Sequence, residues 1–279
     1  MKRKLLTREI FSRKSFLCIG LDTDIRLLPP AIQQKKDSHF LFNKCIADAT
    51  AQHCIAFKIN TAFYEANGSE GWKTLEKTAS YLKTNYPNHF LIADAKRGDI
   101  GNTSAQYARA FFEAMDFDAV TVNPYPGKDS VVPFLGYESR WIIILALTSN
   151  KSAEDFQISD NPQREKNLFE KIIRVSGSWG NKNNTMFVTG ATRASHLRQI
   201  RKLVPHHFLL VPGIGAQKGN LDEVIRNGWN RDCGLIVNVS RSIIYAGSGP
   251  DFDKKAAVEA GKLHEKIKLF FDERKIVKN

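Results

Sequence analysis

Asp94, Lys96 and Asp99 bring carboxylate, ammonium and carboxylate together in the run Asp94-Ala95-Lys96-Arg97-Gly98-Asp99, directly after Phe90-Leu91-Ile92-Ala93 and before Ile100-Gly101-Asn102-Thr103. The apolar run predicts a strand. Alternation along it puts Ile92, Asp94 and Lys96 on one face, so the charges rise above an apolar layer. Ions so placed are costly to desolvate unless they have a task. A second group of residues suits an anion. Pro212-Gly213-Ile214-Gly215-Ala216-Gln217 and Asn238-Val239-Ser240-Arg241 each close an apolar run. Glycine-bearing loops offer backbone N–H groups to phosphate, Arg241 presents a planar fork to its oxygens, and Gln217 lies on a loop flexible enough to close over a ligand.

The elements that must position these groups follow from the hydrophobic pattern. Short apolar runs recur at Phe16 to Leu21, Cys54 to Ile59, Phe90 to Ala93, Ala119 to Val122, Trp141 to Leu147, Thr185 to Val188, Phe208 to Val211 and Leu235 to Val239. Between and after them lie amphipathic stretches at Asp37 to Gln52, Gly71 to Tyr86, Thr103 to Met115, Gln163 to Trp179, Ala194 to Leu203, Asn220 to Asn227 and Ala256 to Phe271. Strands apolar on both faces, alternating with helices, predict a (β/α)8 barrel over 1–279 as a single domain, opened by a short N-terminal helix carrying Leu5, Leu6, Ile10 and Phe11. In such a barrel the active site lies at the C-terminal ends of the strands. Asp22, Lys58, Asn60, Asp94, Lys96, Asn123, Thr148, Ser149, Thr189, Arg193, Ser240 and Arg241 all fall there. His53, His89, His206 and His207 fall at strand starts, the opposite end, and are assigned no chemistry.

Composition narrows the class. The 279 residues are 42% hydrophobic and 25% charged, ordinary globular proportions. The longest apolar run, Trp141 to Leu147, falls well short of the roughly 20 residues that span a bilayer, so a soluble protein with no membrane partner is expected. Cys18, Cys45, Cys54 and Cys233 form no Cys-x-x-Cys pair and read as reduced thiols, which points to the cytoplasm. A net charge of +12 favours anionic partners, but the basic residues lack aromatic interleaving and no nucleic-acid-binding motif is present.

Asp22, Lys58, the Asp94-x-Lys96-x-x-Asp99-Ile100 run with Thr103, Gly213-x-Gly215-Ala216-Gln217 and Ser240-Arg241 closely resemble the orotidine 5′-phosphate decarboxylase family, particularly its longer bacterial subfamily. The resemblance covers nearly the full length. Lys218 follows Gln217 where a small residue is common, and Ser240 replaces a frequent glycine in the manner of the longer subfamily. The resemblance implies conversion of orotidine 5′-monophosphate to uridine 5′-monophosphate with no metal and no cofactor. It further implies that Lys96 protonates C6, that Asp94 stresses the substrate carboxylate, and that Lys58 and Asp99 complete an alternating Lys-Asp-Lys-Asp array. Asp22 is implied to take the ribose hydroxyls and Ser149 the pyrimidine amide. Gln217 and Arg241, on the loops that hold Pro212 and Ser240, are implied to take the phosphate. A homodimer is implied in which Asp99 and Thr103 reach the partner's site.

Two other readings compete. A magnesium-dependent sugar-phosphate decarboxylase or aldolase of the same suprafamily shares the Asp-x-Lys-x-x-Asp run, but usually carries a metal-binding carboxylate on the second strand. This chain has Phe57-Lys58-Ile59-Asn60 there, and a lysine repels the ion. A basic nucleic-acid-binding protein on a barrel scaffold is opposed by Asp22, Asp94 and Asp99, which would repel a polyanion.

Overall fold

A computed structural model of the chain describes residues 1–159, 167–215 and 219–273. Its strands are β1 (Leu17–Gly20), β2 (Ala56–Asn60), β3 (Phe90–Arg97), β4 (Ala119–Val122), β5 (Trp141–Leu147), β6 (Thr185–Thr189), β7 (Phe208–Pro212) and β8 (Leu235–Val239). All pair in parallel with their sequence neighbours, and β8 returns to β1 to close the barrel. Closure removes both sheet edges. Each residue of β1, β4, β6 and β8 is buried, because one face packs inside the barrel and the other lies under helices.

The helices bury one stripe each. Gly68–Asn85 turns Leu75, Ala79 and Leu82 inward, spaced by one and two helical turns. Leu221–Gly228 begins at Asn220, whose side chain accepts from the amides of Asp222 and Glu223 and satisfies two otherwise orphaned donors. The expected helix after β3 starts slightly earlier, at Gly101–Arg109, and ends in a π turn over Ala110–Ala114. Between β4 and β5 the chain forms a 3₁₀ turn, Lys128–Ser130, and a short helix, Val132–Leu135, both too brief for a periodic signal. The expected helix from Gln163 is described from Leu168 to Ser176; its first residues lie outside the described ones.

The basic N-terminus is the helix Arg3–Arg13, packed under the barrel floor through the fully buried Leu6 and Ile10. Its cations are engaged locally: Arg3 pairs with Asp232, Arg13 with Glu9, and Lys14 with Asp272 of the C-terminal helix Phe252–Glu273. Phe11 meets Trp229 and Phe271 edge-on, tying the first and last helices together. Cys18, Cys54 and Cys233 are buried, Cys45 is half-buried, and all four are free thiols. Among the described residues no helix is long and apolar enough to cross a membrane.

Candidate active site

β3 carries the centre of the site and is not a regular strand. Ala93 pairs with Val120, yet Arg97 pairs with Val122, so β3 advances four residues while β4 advances two. The surplus is a bulge, and within it Lys96 adopts a left-handed backbone with φ +48°. A lysine there is uncommon, because its Cβ crowds the backbone. Simple alternation is therefore corrected at this point: the bulge, rather than an extended strand, turns Lys96 toward Asp94. The Lys96 ammonium donates to Asp94 Oδ1 at 2.6 Å. Its side chain is 48% exposed, whereas that of Asp94 is only 13% exposed.

Lys58 completes a chain of alternating charge. Register puts it beside Gly20 of β1 and Ile92 of β3, and its buried ammonium donates to Asp22 Oδ1 at 3.1 Å and Asp94 Oδ2 at 3.0 Å. Burial works against the Lys58 charge, but Asp22 and Asp94 more than compensate and hold its pKa above the ordinary 10.5. Burial likewise pushes the Asp94 carboxyl up, and the neighbouring Lys58 and Lys96 outweigh it, leaving the group well below 3.8. At neutral pH Lys58 and Asp94 are both ionised.

These shifts link the site to stability. The depressed Asp94 pKa stabilises the fold above the ordinary carboxylate range, and that contribution disappears as pH falls through the lowered folded value. The raised Lys58 pKa stabilises the fold up to 10.5, and its contribution is lost only as pH rises through the higher folded value. Lys58→Met leaves two half-buried carboxylates, Asp22 and Asp94, short of a partner and is expected to cost about 3 kcal/mol at pH 7. The gap between parent and variant, measured by urea denaturation, should narrow as the medium is acidified below the carboxylate range.

Asp99 stands apart from this chain of charge. Its Oδ1 accepts from the Ile100 amide at 2.7 Å and its carbonyl from the Ser104 hydroxyl at 2.9 Å. Among the described residues it forms no ion pair, so the array within one chain runs Asp22, Lys58, Asp94, Lys96, without Asp99. The segment leading to it is closely packed. Arg97 pairs with Glu65 and lies over the rings of Tyr107 and Phe111, and a Cβ on Gly98 would fall 2.5 Å from the Asn123 carbonyl. Thr103, half-buried, occupies the first turn of the helix Gly101–Arg109.

The remaining expected residues ring the same end of the barrel. Ser149 follows β5, and its carbonyl accepts from Thr192 at 3.1 Å. Pro212 ends β7 opposite Asn238 of β8. Beyond it, Gly213 and Gly215 have φ of +105° and +87°, and a Cβ on Gly215 would meet Ser242 Oγ at 2.5 Å, so glycine is required there. The Gly219 amide donates to the Gly213 carbonyl at 3.0 Å and closes the loop neck. Gln217 and Lys218 lie outside the described residues. Arg241 is exposed at the start of Arg241–Ile244 and forms no ion pair among the described residues. The Ser240 hydroxyl donates to the Gly20 carbonyl at 2.8 Å, tying β8 to β1.

Sequence reasoning passed over Thr121 on β4. Its hydroxyl accepts from the Lys96 amide at 2.9 Å and donates to Asp94 Oδ1 at 3.0 Å. The only signal was a lone polar residue in Ala119–Val122, and threonine is common in strands on propensity alone. Asn238, within the last apolar run, was given no role of its own; it is buried, and its Oδ1 has no partner among the described residues.

A closed parallel barrel with a chain of ion pairs at the C-terminal ends of β1 to β3, together with a glycine loop after β7 and an arginine after β8 that forms no ion pair among the described residues, defines a (β/α)8-barrel enzyme. The chain belongs to the orotidine 5′-phosphate decarboxylase / HUMPS family, whose model matches residues 15–256. It is 56% identical over 267 residues to the orotidine 5′-phosphate decarboxylase of Phocaeicola vulgatus, covering 96% of this chain and 98% of that protein. The structure of Leishmania donovani OMP decarboxylase superposes with a TM-score of 0.77 at 31% identity, covering 95% of this chain and all of that one. Leishmania donovani UMP synthase gives a TM-score of 0.80 at 32% identity, with 94% of this chain matching 55% of that longer protein.

Proposed function

We propose that this chain performs the reaction for which its relatives are named, conversion of orotidine 5′-monophosphate to uridine 5′-monophosphate and carbon dioxide, without metal or organic cofactor. The observation that carries the reading is a half-buried carboxylate, Asp94, held between the ammonium groups of Lys58 and Lys96 at 3.0 and 2.6 Å. When the bond from C6 to the carboxylate breaks, carbon dioxide leaves and the electron pair stays in the ring plane, where the π system cannot accept it. Electrostatics must supply the missing sink, toward the upper end of roughly 8 to 23 kcal/mol.

Lys96 is the accessible member of the array, and its ammonium delivers a proton to C6 while opposing the charge that builds there. Asp94 faces the substrate carboxylate and disfavours it until carbon dioxide departs. Lys58 keeps Asp94 ionised and oriented. Asp22 takes the ribose hydroxyls and Ser149 the pyrimidine amide. The loops bearing Pro212, Gln217, Ser240 and Arg241 take the phosphate, Ser240 through its backbone because its hydroxyl is engaged. Binding energy from these remote contacts orders the reacting centre.

The enzyme acts as a cytoplasmic homodimer of single-domain subunits in which Asp99 and Thr103 serve the neighbour's site. Two features support this: Asp99 forms no ion pair among the described residues, and Ile100, next to it in sequence, is 59% exposed, an apolar side chain suited to burial against a second copy. The magnesium-dependent alternative is opposed by the Lys58 ammonium, which occupies the space between Asp22 and Asp94 where a cation would sit. Spectrophotometric loss of orotidine 5′-monophosphate in the presence of chelator tests the reading. Sustained turnover supports it, and no turnover by folded protein overturns it.

A further inference from the structure

Lys96 holds a backbone conformation that its own side chain disfavours, and something must compensate. Thr121 is placed to do so. It is 1% exposed on β4 between the buried Val120 and Val122, and so is shut off from solvent. Its hydroxyl accepts from the Lys96 N–H at 2.9 Å and lies 3.0 Å from Asp94 Oδ1. Because Asp94 is ionised and can only accept, the hydroxyl proton must point at the carboxylate. One oxygen therefore joins the Lys96 backbone to the anion that receives the Lys96 ammonium.

We propose that Thr121 is a positioning residue for the decarboxylation, locking Lys96 in its left-handed conformation and fixing the Asp94 carboxylate so that one oxygen meets Lys96 and the other Lys58. The proposal rests on the roles given above to Lys96 and Asp94. The hydroxyl closes a ring of hydrogen bonds through Lys96 N, Thr121 Oγ1, Asp94 Oδ1 and Lys96 Nζ. Opening the ring orphans a backbone donor inside the barrel wall and leaves Asp94 Oδ1 with one donor in place of two. The strained backbone then relaxes toward negative φ and carries the ammonium away from C6. A displacement of about 1 Å at a reacting group lowers turnover on the order of a hundredfold.

Thr121→Val keeps the branched shape that a buried strand residue needs and removes only the hydroxyl. It is expected to lower kcat about 10- to 100-fold while KM for orotidine 5′-monophosphate stays within about threefold, because ribose and phosphate contacts are untouched. Thr121→Ser, which restores the oxygen, should return kcat to within about threefold of the parent. A purely structural role would lower the melting temperature and leave kcat of the folded fraction alone. Parental kcat in folded Thr121→Val overturns the proposal. Should the valine variant not fold, Thr121→Ala is compared with Thr121→Ser: a kcat ratio of about ten or more in favour of serine supports the proposal, and equal values overturn it. If the parent itself shows no decarboxylation, the functional reading falls first, and a crystal structure of Thr121→Val decides the positioning claim. Lys96 leaving the left-handed region supports it, and an unchanged Lys96 with its ammonium still on Asp94 overturns it.

Discussion

Lys96→Ala is expected to lower kcat/KM for orotidine 5′-monophosphate by at least about ten-thousandfold, because one substitution removes both the general acid and the counter-charge at C6. Proton transfer by a placed side chain contributes about 100- to 10,000-fold, and a fixed electrostatic partner about 100- to 1,000-fold, so losing both exceeds either alone. The variant should still fold. The Lys96 side chain is half exposed, and Asp94 keeps Lys58 and Thr121 as donors after it is gone. Melting temperature and kcat/KM measured on the same preparation separate the two effects. Retention of more than about 1% of parental kcat/KM by a folded variant would exclude Lys96 as the proton donor.

Mixing two inactive variants should restore activity. Lys96→Ala and Asp99→Ala are each expected to be nearly inactive, yet a heterodimer of the two contains one site with both residues intact. Random exchange between symmetric dimers puts half the molecules in that form, each with one working site of two, so recovery should approach about a quarter of the parental rate. The expectation follows from the separation of Asp99 from the Asp22, Lys58, Asp94, Lys96 chain and from the exposed Ile100 beside it. No recovery after subunit exchange has been verified by mass labelling would place Asp99 in its own subunit's chemistry or in none.

Strand and helix order was legible because a barrel strand buried on both faces writes itself as an uninterrupted apolar run, and each covering helix as a periodic one. Trp141–Leu147 and Ala119–Val122 have the bounds their residues predict. β3 does not end where its apolar run ends: it continues through Asp94 and Lys96 to Arg97, since ion pairing to Lys58 stabilises charge at a place where hydropathy predicts exit from the sheet. The bulge was not legible, because it is set by register against β4, a relation between two distant segments. Thr121 escaped for the same reason, its role being defined by what lies across the strand pair. The Ser240 hydroxyl bond to Gly20 was not legible either, because it joins two strands distant in sequence at a position where the absence of a side chain brings a carbonyl within reach. Glycine spacing announced the β7 loop well, since Gly213 and Gly215 both require positive φ.

The most direct measurement is the rate of orotidine 5′-monophosphate loss, with uridine 5′-monophosphate identified as product, for the parent and Lys96→Ala side by side in excess chelator. Parental turnover unchanged by chelator, together with its collapse in the folded variant, is the predicted result. Folded parent protein that leaves the substrate intact, or turnover that survives the loss of Lys96, would contradict the account.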